Sequence, residues 1–165
     1  MSEATVKTLP PRKSVNETDT WDLSSLYATT QDWETDYTLA EEKLEAYAAF
    51  QGRLGESAET LAELLAFDSE MDLLLERLGY YAFLRLTEDQ ANSDSQALEA
   101  RMQNLGARAA QAGSWIRPEL LAIDSASMDA FLDTECLQHY QLKLSLIHIS
   151  EPTRPERIGD GGVWV

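Results

Sequence analysis

For most of this chain the apolar residues recur at steps of three and four, and near Lys143 that rhythm stops. Trp33, Tyr37, Ala40, Leu44 and Tyr47 form one stripe of a helix predicted over 31–50, with Glu34, Glu41, Glu42 and Glu45 elsewhere around it. Gly52 and Gly55 supply the stop. A second helix is predicted over 57–86, with Ser57 as N-cap and Glu59 in the first turn, where the helix dipole favours it. Its stripe is Leu61, Leu64, Met71, Leu75, Leu78 and Ala82, widened by Leu65, Leu74, Tyr81 and Leu84. That width implies neighbours on more than one side. Asp68 falls in the stripe and predicts a break or offset there. The polar turn 87–94 leads into a third helix, opened by a capping box in which Ser93 and Gln96 satisfy each other's N–H groups. Leu98, Met102, Leu105, Ala109, Ala112 and Ile116 follow on one face, and Pro118 bends or restarts the helix at about Arg117. Shorter helices are expected over 127–132 and 135–143. No alternating β-branched run precedes Lys143, and no internal repeat is visible. The expected fold is all-α, an antiparallel helical bundle with Leu64, Met71, Leu78, Leu105 and Trp115 inside.

The ends read differently. Residues 1–18 are polar and carry Pro10-Pro11, which predicts a flexible leader. Over 20–27 the large residues Trp21, Leu23, Leu26 and Tyr27 lie at mixed spacing. They predict an extended segment that pins the leader onto a surface. Residues 19–143 form the helical domain. Residues 144–165, LSLIHISEPTRPERIGDGGVWV, share neither composition nor period with what precedes them. Their first eleven resemble the translation of a transposase adapter used in sequencing libraries, so 144–165 is read as a disordered, non-native tail outside the folded unit.

Composition narrows the partners. The net charge is −16, and it belongs almost entirely to the helical part. Nucleic acid needs clustered Lys and Arg to neutralise phosphates, and an anionic membrane surface needs the same. Neither is an expected partner. No run of about 18 apolar residues occurs, and the first 19 residues have no apolar core of a signal peptide. One cysteine, Cys136, excludes an internal disulfide framework and fits a reducing cytoplasm. With Leu137 beside it and His139 on the same short helix, Cys136 is expected to be a semi-buried, inert thiol. The sequon at Asn16 is then accidental.

Catalytic chemistry is sparse. The two histidines, His139 and His148, are nine apart, so no H-E-x-x-H can form. Glu41, Glu42 and Glu45 read as a solvated face rather than an acid–base pair. The glycines around Asp160 lack the helix and lysine of a phosphate loop. Tyr80, Tyr81 and Phe83 with Arg77 and Arg85 are the remaining cluster. They could line a peptide-binding surface, although aromatics at helical spacing more often belong to a core. No catalytic, cofactor-binding or metal residue is assigned.

Several segments together carry a resemblance. TWDLSSLY over 20–27, Asp32-Trp33-Glu34, SAETL over 57–61, LERLGYYAFLRLTED over 75–89 and WIRPELLAI over 115–123 resemble the N-terminal region of oligoendopeptidase F. The resemblance covers about 13–143. It implies a zinc metallopeptidase of the thimet-oligopeptidase-like superfamily, whose helical body encloses a cleft and cleaves short peptides internally. There two histidines of H-E-x-x-H and a distant glutamate hold zinc, and the motif's glutamate activates water. None of these elements is present here. The expectation is therefore an N-terminal part truncated near Lys143, with zinc in the full-length parent and none in this fragment, inactive alone. Its role would be scaffold and cleft wall, with self-association where apolar surface is left uncovered. The alternative is a free-standing helical interaction module.

Overall fold

The structure, a computed structural model, describes residues 12–149. Of the expectations for the ends, those for 1–11 and 150–165 lie outside the described residues. No strand occurs among the described residues. The helices are α1 (Thr30–Leu44), α2 (Ala58–Glu88), α3 (Ser93–Ala112), α4 (Ile116–Ala122), α5 (Ser125–Leu132) and α6 (Gln141–Ile149), with 3-10 turns before α1, between α1 and α2 and between α5 and α6. The fold is all-α, as the spacing predicts. The chain divides into two compact units, Met1–Ala46 with Ser69–Ala112, and Tyr47–Asp68 with Gly113–Val165.

In the first unit, α1 begins at Thr29, whose hydroxyl and the Asp32 carboxylate cap each other's backbone N–H groups. The stripe lands where the period puts it: Trp33, Tyr37, Ala40 and Leu44 are buried. The Trp33 indole N–H donates to the Leu78 carbonyl oxygen at 3.0 Å. The Trp33 and Tyr37 rings stack at 5.0 Å between centroids. Ion pairs define the directions. Asp36 meets Arg77 and Lys43 meets Glu70, so α1 and α2 run antiparallel. Glu34 meets Arg101 and Glu41 meets Arg108, so α1 and α3 run parallel, cross-linked twice at a spacing of one heptad. Met71, Leu78, Tyr81, Ala82, Leu98 and Leu105 complete this core.

Two expectations change here. The cap of α3 is Asn92, not Ser93: its side-chain oxygen accepts from the N–H groups of Asp94 and Ser95 at 2.9 and 3.0 Å. Gln96 instead donates to the Gln90 carbonyl. The 20–27 segment folds into a 3-10 turn at Leu23–Ser25, and Trp21 is exposed while only Tyr27 is buried. In the described part of the segment expected as a flexible leader, Arg12–Ser14 and Glu17–Asp19 are 3-10 turns and Arg12 pairs with Glu88 at 2.8 Å.

In the second unit, the Ser57 hydroxyl accepts from the Thr60 N–H, the predicted N-cap of α2. No break occurs at Asp68. Its carboxylate accepts from the Tyr47 hydroxyl at 3.0 Å and from Lys143 at 3.3 Å, so a polar residue in the stripe is satisfied without interrupting the helix. Tyr47 and Phe50 close on Phe67. Pro118 sits in the first turn of α4, where a missing N–H costs no helical bond. Gly52 takes a positive φ of 82°, and Glu119 reaches back from α4 to accept from the Gly52 and Leu54 N–H groups, each at 2.8 Å. Leu54, Leu61, Leu64, Leu65, Leu120, Leu137 and Leu144 are buried here. Trp115, expected in the core, is only half-buried. The boundary expected at 143/144 is not an element boundary. Helix α6 runs through it to Ile149 and Leu144 is fully buried, because Leu144 falls on the inward side of that helix while Leu142 and Leu146 face solvent.

Candidate functional site

The aromatic cluster of α2 is divided by the helix period. Tyr81 points inward, 3% exposed, with its ring edge-on to Tyr27 at 5.4 Å. Tyr80 and Phe83 point outward, each 53% exposed. Leu73, two turns before Tyr80, joins them on the exposed side. Tyr81 alone of the three belongs to the core, while Tyr80 and Phe83 are exposed.

The two arginines of the cluster are engaged in the first unit. Arg77 donates through Nε and Nη2 to the Leu26 carbonyl at 2.9 and 2.6 Å and lies 4.3 Å from the centre of the Tyr27 ring. Its Nη1 reaches Asp36, which also accepts from the Tyr27 hydroxyl at 2.8 Å. Burial first, and then the bond to Asp36, raise Tyr27 above the ordinary tyrosine range, so the phenol stays a neutral donor. Arg85 donates to the Tyr81 hydroxyl at 3.1 Å. These contacts fasten the 20–27 segment to α2 and leave Leu73, Tyr80 and Phe83 as the free apolar surface of that helix.

A second arrangement was invisible in the sequence. Arg101 forks onto Glu34 at 2.6 and 2.7 Å while its guanidinium lies 5.0 Å from the Trp33 ring centre and 4.3 Å from that of Tyr37. The Arg101 hydrogen bonds hold the Glu34 carboxyl below its ordinary value. Glu34, which the period places off the apolar stripe, is thus a half-buried partner. Its signal was the shared heptad spacing of Glu34 and Glu41 with Arg101 and Arg108, readable only once the parallel pairing of α1 and α3 is known.

Among the described residues no three of His, Cys, Asp or Glu gather closely enough to hold an ion. His139 is exposed on the 3-10 turn Glu135–Tyr140. Cys136, expected semi-buried, is exposed beside the Thr134 hydroxyl at 3.3 Å. No helix among the described residues is long and apolar enough to cross a membrane.

The order of the helices is similar to that in two solved proteins. A solved putative peptidase from Chlamydophila abortus superposes with a TM-score of 0.73 at 24% identity, over 85% of this chain and 24% of that one, a likeness of fold. The crystal structure of oligoendopeptidase-F from Enterococcus faecium gives 0.68 at 26% identity, over 73% of this chain and 23% of that one. Oligopeptidase PepF of Bacillus subtilis is 31% identical over 146 residues, 88% of this chain and 21% of the relative. Group B oligopeptidase PepB of Streptococcus agalactiae is 26% identical over 142 residues, 86% of this chain and 24% of the relative. No family model matches. The chain belongs to the oligoendopeptidase F family, and it spans between a fifth and a quarter of the length of these relatives.

Proposed function

We propose that this chain is the N-terminal helical part of an oligoendopeptidase F-like zinc metalloendopeptidase that cleaves short peptides in the cytoplasm. The observation that carries the reading is the match to Oligopeptidase PepF along 88% of the chain. The reading assigns neither metal binding nor peptide cleavage to the described residues, among which no three of His, Cys, Asp or Glu gather to hold an ion. Their part is structural: the paired ladder of α1 and α3, and the clamp of Arg77 on the 20–27 segment, make a stiff helical wall. The same reading takes 144–165 as adapter-derived sequence standing in place of a natural continuation. Sequencing the source locus past Lys143 tests that, with an open frame leading to H-E-x-x-H as the expected result. For activity, the purified chain is incubated with zinc and a quenched-fluorescence peptide library. No turnover above background is expected, and turnover abolished by chelation would overturn the proposal.

A second reading, a helical interaction module, is favoured by the exposed Leu73, Tyr80 and Phe83 of α2. Exposed Leu142 and Leu146 on α6 support self-association as well. Sedimentation of the chain and of a Leu142→Ser/Leu146→Ser variant distinguishes a concentration-dependent oligomer from a monomer.

A further inference from the structure

A cavity of about 460 Å³ opens within the first unit, between the 3-10 turns that precede α1 and the turn joining α2 to α3. Its volume is in the range of about 300–1,000 Å³ usual for small-molecule sites. Ser95 lines it and is 2% exposed, the single buried polar residue among the described ones. The Ser95 backbone N–H is taken by Asn92. Its hydroxyl has no hydrogen-bond partner among the described residues, a rare condition for a buried polar group. Asn92 also lines the cavity. Its side-chain oxygen is committed to two helix N–H groups, which leaves its NH2 as a second donor.

The remaining walls carry both signs of charge. Arg12 and Arg85 each spend one nitrogen, on Glu88 and on the Tyr81 hydroxyl, and keep further N–H donors. Glu88 and Asp89 each use one carboxylate oxygen, for Arg12 and for the Ala91 N–H, and keep the other. Two guanidinium groups thus face two carboxylates. That balance disfavours a phosphate, which needs an excess of donors and positive charge, and equally a metal ion. Trp21, 60% exposed, is the large aromatic residue of the lining.

We propose that this cavity binds a small zwitterion, an α-amino acid or the equivalent short peptide, with an apolar side chain. The carboxylate meets the donors of Ser95, Asn92, Arg12 and Arg85. The ammonium meets Glu88 and Asp89, and the side chain lies on Trp21. The proposal does not depend on the peptidase reading, because it rests on the polarity of this cavity alone.

The test is a titration of the 15N-labelled chain, followed by NMR, with phenylalanine, a phenylalanyl dipeptide, N-acetylphenylalanine, phenylalaninamide and inorganic phosphate. Saturable shifts at the Ser95 amide and Trp21 indole N–H are expected with phenylalanine or the dipeptide, and which of the two binds more tightly identifies the source. Masking either charge should weaken binding about tenfold or more, the size of one hydrogen bond to a charged group. Ser95→Ala should weaken it by a similar factor without lowering the melting temperature. Trp21→Ala, at an exposed position, should weaken it while leaving the fold intact. No saturable shift with phenylalanine and the dipeptide, binding of either masked compound as tight as that of phenylalanine, or a matching response to phosphate would each overturn the proposal. Peptide cleavage is read in a separate assay, so failure here leaves the family reading standing.

Discussion

The indole N–H of Trp33 donates to the carbonyl oxygen of Leu78, 45 residues away, across the contact of α1 with α2. Both side chains are fully buried. The bond satisfies the one polar atom of the largest core residue and fixes the height of α1 against α2. Trp33→Phe removes the donor and part of the ring. Trp33→Ala removes the packing as well and should cost about 3–5 kcal/mol. Denaturant melts should place Trp33→Phe well below that, and equal losses would show that packing alone matters.

Leu78 and Leu73 test the burial pattern on a single helix. Leu78 is fully buried and Leu73 is 68% exposed. Leu78→Ala should cost on the order of 2–5 kcal/mol. Leu73→Ala should stay within about 0.5 kcal/mol. Similar values for the two would mean that the exposed face of α2 is covered in solution.

The Glu34–Arg101 fork gives a pH dependence with a definite sign. Folded Glu34 titrates below its ordinary value of 4.5, because Arg101 donates to its charged form. The unfolded chain therefore takes up that proton at higher pH than the folded one. The stabilisation is complete above about 4.5 and is lost as pH falls through the lower, folded value. Urea melts of wild type and Glu34→Gln should differ near neutrality and converge in acid. Both side chains are more than a third exposed, so the difference should be small and should shrink with salt. A difference that grows in acid would refute the assignment.

Leu144 is the sharpest test at the far end of the described chain. It is fully buried, so Leu144→Ala should lower stability by about 2–5 kcal/mol, measured by thermal melting. A change of less than about 0.5 kcal/mol would mean that α6 is not seated as described.

The helices were legible because burial follows a local rule. Trp33, Tyr37, Ala40 and Leu44 recur with the helical period, and all four are inside. What escaped depended on partners distant in sequence. Asp68 looked like a defect until Tyr47 and Lys143 supplied its hydrogen bonds. Arg77 looked available for a ligand until it met the Leu26 carbonyl, 51 residues away. Ser93 lost the cap of α3 to Asn92 by a single position, a distinction that capping patterns do not resolve. At the candidate site, the missing H-E-x-x-H could be read directly from the sequence. The cavity beside Ser95 could not, since its walls come from residues as far apart as Arg12 and Ser95.

The reach of Glu119 to the Gly52 and Leu54 N–H groups has a consequence for exchange with deuterium. Gly52 lies in an exposed turn, where an amide normally exchanges within the dead time of a manual experiment. Held by a carboxylate, it should exchange slowly and in step with Leu54. A negative charge beside an amide also slows its removal by hydroxide. Two neighbouring loop amides thereby become a built-in clock for the departure of α4 from that loop. Glu119→Gln should speed both together, while leaving amides in the middle of α2 unchanged.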